Sequence, residues 1–169
     1  MHKTVGRVTF RLTPDTMDSE IVRRMVAGTE FFSAAEVAIA QELIDVRLAK
    51  GKESGYEFIF AELEEQTIGY ACYGEIPCTV GSYDLYWIVV DRNHQNLGVG
   101  RQLLVEVERQ IQRLGGRAIY VETSGRAIYE PTRAFYLRCA YTQLAIYPDF
   151  YAPADDKFVY VKQVSPLDI

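Results

Sequence analysis

The residues best suited to chemistry stand where Gln95-Asn96-Leu97-Gly98-Val99-Gly100 separates a bulky apolar run from an amphipathic stretch. Glycines at the start of a helix remove the Cβ and let several backbone N–H groups converge on one small volume. The first helical turn also carries spare donors and a partial positive charge, so this segment suits a phosphate or pyrophosphate. Gly98-Val99-Gly100 lacks the lysine-and-hydroxyl ending of a P-loop and the third, spaced glycine of a dinucleotide fingerprint. The local pattern therefore also reads as a tight strand-to-helix turn that holds no ligand. Other reactive groupings are poor: Cys72, Cys78 and Cys139 share no metal spacing and read as reduced, buried thiols. His2 and His94 make neither a metal site nor a histidine-centred triad.

The elements that must position the glycine loop are legible on both sides of it. Leu85-Tyr86-Trp87-Ile88-Val89-Val90 reads as a buried strand. Val99, Leu103, Val107, Ile111 and Leu114 recur at helical spacing, and Gly115-Gly116 ends that helix. Upstream, residues 6–13 alternate as a strand, and Pro14-Asp15 opens a helix with Ile21, Val22, Met25 and Val26 on one face. Ser33-x-x-Glu36 is a capping box that starts a second helix, whose stripe is Val37, Ala40, Ile44 and Leu48. That role suits Glu36 better than facing a ligand, which is a second possibility for both Glu30 and Glu36. Residues 50–55 form an exposed turn; residues 56–63 and 67–76 form an antiparallel hairpin across Glu64-Glu65-Gln66. Downstream, residues 118–123 make a strand, and Pro131 sits just inside a short helix carrying Phe135, Tyr136 and Cys139. The last strands are expected at 142–147 and 157–164, joined by an aromatic, acidic loop that either binds a ligand or is merely solvated.

Composition narrows the class. A chain of 169 residues with 49% hydrophobic and 24% charged side chains suits one globular domain over residues 1–169. A net charge of −5, with no basic block, argues against nucleic acid and mildly favours a cationic substrate. No apolar run approaches a membrane span and no signal-peptide core is visible, so a cytoplasmic location is expected.

Gln95-x-x-Gly98-x-Gly100, following Ile88-Val89-Val90 and leading into Arg101-Gln102-Leu103-Leu104, resembles the acetyl-coenzyme A loop of the GNAT superfamily of N-acetyltransferases. The order of elements over the whole chain is similar too. The resemblance implies an α/β (α+β) fold: a mixed, mostly antiparallel central sheet flanked by helices, with the acetyl-CoA loop between the fourth strand and the central helix. It implies coenzyme contacts from Ile88, Val89 and Val90, whose backbone would serve the oxyanion, and from Gln95, Asn96, Leu97, Gly98, Val99, Gly100 and Arg101. Phe135-Tyr136-Leu137-Arg138-Cys139-Ala140-Tyr141 is similar to a GNAT segment whose tyrosine maps to Tyr136 and protonates the departing thiolate. Two departures stand out: Tyr129 replaces the usual asparagine seven residues before that tyrosine, and Ala140 replaces the usual glycine.

Amide formation from a protonated amine needs a base, an oxyanion partner and an acid for the thiolate. Two carboxylates compete as base. Val121-Glu122-Thr123 resembles the corresponding strand of ribosomal-protein N-terminal acetyltransferases, although its spacing to Tyr136 is two residues longer. Asp84 stands eleven residues before Gln95, where histone-type members carry a glutamate. Glu122 ranks first and Asp84 second, with a water relay held by Tyr86 as a third route. The expected function is acetyl transfer from acetyl-CoA to a primary amine in a ternary complex, on a small molecule or a peptide. A non-catalytic acetyl-CoA sensor is the alternative. The exposed final strands would permit a homodimer.

Overall fold

The computed structural model describes residues 7–165. In chain order it contains β1 (Thr9–Arg11), α1 (Asp18–Gly28), α2 (Ala34–Lys50), β2 (Glu57–Leu63), β3 (Gln66–Glu75), β4 (Ser82–Val90), α3 (Val99–Arg113), β5 (Ala118–Ser124), α4 (Glu130–Arg138), β6 (Thr142–Ala152) and β7 (Asp155–Gln163). The seven strands follow the order β1-β2-β3-β4-β5-β7-β6. β1/β2, β2/β3, β5/β7 and β6/β7 are antiparallel and β4/β5 is parallel. This is the mixed, mostly antiparallel sheet with flanking helices, and the glycine loop lies between β4 and α3. No described helix is long and apolar enough to cross a membrane.

The chain forms two compact units: residues up to Gly74 with Trp87–Arg109, and Glu75–Tyr86 with the chain from Gln110 onward. In the first, Val22, Met25 and Val26 of α1 and Ala40 and Ile44 of α2 pack with Phe58, Phe60, Tyr70, Cys72 and Val89. The capping box of α2 is formed: Ser33 Oγ accepts from the Glu36 N–H at 3.2 Å and Glu36 Oε2 from the Ser33 N–H at 2.8 Å. Glu36 is thus committed to the cap, and Glu30 pairs with Arg92 at 2.7 Å. Helix α1 starts later than Pro14-Asp15 suggests, because Asp18 is fully buried and bound by both terminal nitrogens of Arg11, each at 2.8 Å. A buried carboxylate needs such a partner. The β2–β3 turn is tight, with Glu64 (φ 49°) and Glu65 (φ 66°) both left-handed and Leu63 paired with Gln66.

In the second unit β4 pairs with β5 over Ser82, Tyr83 and Asp84 against Ala118, Ile119 and Tyr120. β5 pairs with β7 along its whole length, from Ala118–Gln163 to Ser124–Lys157. The expected loop at 148–156 is instead strand and turn: β6 runs on to Ala152, which pairs with Asp155. Pro148 and the acidic residues suggested a break. On an edge strand, however, a missing N–H costs no ladder bond, and the register shifts between Tyr147 and Ala152 absorb the irregularity. Two smaller expectations also fail. Leu114 lies past the end of α3 and is 58% exposed, and Cys78 is exposed rather than buried; all three cysteines are free thiols.

Ala140 follows α4 with φ 65°, where its N–H reaches Leu137 O at 3.1 Å and the Tyr141 N–H reaches Tyr136 O at 3.0 Å. That left-handed position suits glycine, the residue usual in the segment that this one resembles. Ala140→Gly is expected to stabilise the protein by about 0.5–1 kcal/mol, the left-handed strain less the added chain entropy of glycine. A melting temperature unchanged or lowered relative to wild type would contradict this.

Candidate active site

The loop is built by local capping. Asp91 Oδ1 accepts from the Asn93 N–H at 3.0 Å and lies 3.0 Å from His94 Nδ1, which closes one 3-10 turn over Arg92–His94. Gln95 Nε2 donates to Val90 O at 3.2 Å and ties the loop to the end of β4. Asn96 (φ 62°) and Gly98 (φ 81°) are left-handed, a backbone that turns successive N–H groups inward. The Gln102 N–H bonds Gly98 O at 3.1 Å, so Gly98, Val99, Gly100 and Arg101 supply the helix-start donors that no earlier carbonyl of α3 can satisfy. Val99 is buried and anchors the turn, and a Cβ placed on Gly98 would meet nothing within 4 Å. No acidic side chain stands between 95 and 101. This donor set fits a pyrophosphate. Arg101 is exposed and lines a shallow groove of about 310 Å³ with Phe10, Gln102, Val105 and Arg109.

Ile88, Val89 and Val90 end β4 four to six residues beyond the last pair with β5, at Asp84. On their other side a Cβ at Gly69 would stand 3.0 Å from Val89 O and 3.6 Å from Val90 Cα. Gly69 therefore permits the close approach of β3 to this backbone. The sequence signal was present, as a glycine inside an apolar strand pattern, but was not singled out.

In the second unit the register brings the two candidate bases to one face. Asp84 is partnered by Tyr120, Glu122 is two residues further along β5, and Lys157 is partnered by Ser124. Glu122 is 50% exposed and its Oε1 accepts from Lys157 Nζ at 3.2 Å. Asp84 is half-buried, and among the described residues it has no ion-pair partner. Burial, and then the Glu122 charge, push its carboxyl above the usual aspartate value, with Lys157 opposing. Tyr151 is pushed up to about 12 by burial and by Glu122, Asp155 and Tyr129. Tyr86 is exposed and, by alternation along β4, shares the face of Asp84.

Tyr136 is only 3% exposed, with ring contacts to Phe135, Tyr141 and Tyr160 at 5.3, 5.5 and 6.2 Å. Burial, and then Cys139, raise its phenol well above the usual value, so it stays protonated. Tyr160 adjoins Val159, the partner of Glu122, and so points to the opposite face of the sheet. Within this unit the acid candidate thus lies on one face and the base candidates on the other. Lys157, with Tyr147 and Phe150 around it, was missed from the sequence because the hairpin that delivers them reads as a loop.

Comparison with known proteins identifies the fold and the family. The sequence model of the acetyltransferase (GNAT) family matches residues 26–141. A solved GNAT-family protein from Desulfovibrio desulfuricans is 44% identical, with TM-score 0.92 over 94% of this chain and 100% of that one. The ribosomal-protein-S18-alanine N-acetyltransferase of Escherichia coli shares the fold at 16% identity, with TM-score 0.74 over 96% of this chain and 97% of that one. A GNAT acetyltransferase from Elizabethkingia anophelis, solved with acetyl-CoA bound, shares it at 17% identity, with TM-score 0.66 over 93% and 98% of the two chains. No curated protein matches the sequence. With more than half its length matched by the family model and a relative at 44% identity, the chain belongs to the GNAT family of acetyltransferases.

Proposed function

We propose that this protein transfers the acetyl group of acetyl-CoA to a primary amine by direct attack in a ternary complex. The acceptor is a small-molecule or peptide amine. The observation that carries this reading is the placement of two groups in the second unit: a half-buried carboxylate on one face of the sheet and, on the other, a buried tyrosine whose proton burial retains until sulfur takes it. The carboxylate takes one proton from the ammonium and passes it to solvent, the neutral amine attacks the thioester carbonyl, and the C–N bond forms as the C–S bond breaks, the tyrosine hydroxyl protonating the departing sulfur. The second proton that nitrogen loses on becoming an amide returns to the tyrosinate through water.

Asp84 is the better base of the two carboxylates, although sequence placed Glu122 ahead. A carboxyl raised by burial lies nearer the ammonium it must deprotonate, and among the described residues it has no ion-pair partner, the Lys157 charge only opposing the shift. Glu122 is instead occupied by Lys157. The pyrophosphate of acetyl-CoA sits on the donors of Gly98, Val99, Gly100 and Arg101, with backbone at Ile88, Val89 and Val90 receiving the oxyanion. A sensor reading draws support from the same burial of Tyr136, which also suits a core aromatic.

The test is acetyl-CoA with pooled amines and peptides, read as free-thiol release, alongside calorimetry on the loop. Gly100→Val is expected to weaken acetyl-CoA binding by roughly ten- to a hundredfold, as one or two charge-assisted N–H bonds to phosphate are lost. Gly100 lies within α3, so valine is tolerated there by the backbone. Unchanged affinity in the folded variant would show that the phosphates bind elsewhere, and coenzyme binding without thiol release would leave the sensor.

A further inference from the structure

Lys157 is unusual for a lysine: its side chain is only 13% exposed, and its ammonium is enclosed on three sides. Nζ lies 3.2 Å from Glu122 Oε1, 3.9 Å from the centroid of the Phe150 ring and 4.9 Å from that of Tyr147. One carboxylate and two aromatic faces form an ammonium cradle. With Nζ bonded to that carboxylate and set over those rings, Lys157 is already engaged and does not present a free cation to an acceptor's carboxylate.

The other charges facing this group follow the same pattern. Asp155, two residues before Lys157 on the same face, accepts from Ser124 Oγ at 2.5 Å and pairs with Arg126 Nε at 3.4 Å. Tyr151 is held neutral by its raised phenol. Among the described residues, Glu122 and Asp155 on this face each have a cationic ion-pair partner, whereas Asp84 has no ion pair and feels the Lys157 charge only at longer range. The exposed rings of Tyr86, Tyr147, Phe150 and Tyr151 surround them with apolar surface.

We propose that Lys157 is a specificity-determining residue: it fills the Glu122–Phe150–Tyr147 cradle and leaves one carboxylate, so that the acceptor is a monocationic amine on an apolar body. This rests on the transferase reading for the word acceptor, while the cradle itself stands independently of turnover. A diamine or polyamine finds its second cation site already taken. An amino acid's carboxylate finds Lys157 already engaged by Glu122.

Two probes test this. Propylammonium replaces the atoms deleted in Lys157→Ala, and its binding can be followed through the ring resonances of Phe150 and Tyr147. Lys157→Ala is expected to bind it saturably, about tenfold or more tightly than wild type. Equal binding in both proteins, or none in a folded Lys157→Ala, overturns the proposal. Lys157→Met keeps the packing of the stem and frees only the Glu122 charge, which covers the case in which the alanine variant does not fold. Calorimetry should then show 1,4-diaminobutane gaining about fivefold over butylamine relative to wild type, whereas an unchanged ratio counts against the cradle. With acetyl-CoA present, the same preference should shift in kcat/KM and be retained by Lys157→Arg. Absence of thiol release with every amine would defeat the transferase reading alone, because the two binding measurements decide the cradle.

Discussion

Tyr136→Phe is expected to slow acetyl transfer by about 10²–10⁴-fold, the usual worth of a positioned general acid. The substitution removes one oxygen from a ring packed among Phe135, Tyr141 and Tyr160 and leaves those contacts in place. Acetyl-CoA affinity should therefore be unchanged, because the phosphate donors belong to the loop before α3. The alkaline side of the pH profile should not report Tyr136 in the wild type, since burial keeps its phenol protonated throughout the working range. Single-turnover thiol release, with chemistry rate-limiting, measures the effect. Full activity in Tyr136→Phe would return this side chain to the role of a core aromatic. A sensor, by contrast, would keep its response to the coenzyme without the hydroxyl.

Asp84→Asn should be comparably damaging, by about 10²–10⁴-fold, and should also change the shape of the pH profile. In the wild type, activity should rise with pH along one carboxyl ionisation lying above the usual aspartate value. Asparagine abolishes that rise, whereas Glu122→Gln is expected to shift it downward, because the Glu122 charge helps to hold the proton on Asp84. A flat profile in Glu122→Gln together with an intact one in Asp84→Asn would restore Glu122 as the base. If neither variant changes the profile, the amine loses its proton to water held by Tyr86. Stability supplies a second readout. With its carboxyl raised on folding, Asp84 binds its proton more tightly in the folded state than in the unfolded chain. Stability is therefore lost as pH rises from the ordinary aspartate value through the raised one. Asp84→Asn should be the more stable protein at neutral pH, with the difference closing in acid.

Local chemistry made much of this readable in advance. Ser33 and Glu36 specify a helix start by satisfying each other's donors, and the structure contains that box. The apolar run of β4, the glycines after it and the stripe Val99, Leu103, Val107 and Ile111 define strand, loop and helix, because each depends on residues within a few positions of one another. The loop proposed to hold the coenzyme belongs to this class, since its donors are backbone groups whose direction follows from glycine and a helix start.

What depended on distant partners was not readable. Asp18 stands in the first turn of α1, yet it is wholly buried and neutralised by Arg11, which only the packing of β1 against that turn brings to it. Pro148 and its acidic neighbours look like a loop, yet they run on as an edge strand whose register across β7 carries Phe150 and Tyr147 to Lys157. The proposed preference for Asp84 over Glu122 as base rests on the same kind of fact. In sequence, Glu122 and Asp84 are two carboxylates on strands. Only pairing across β4, β5 and β7 gives Glu122 a lysine and leaves Asp84 half-buried without one, because charge compensation and desolvation are set by neighbours far away along the chain.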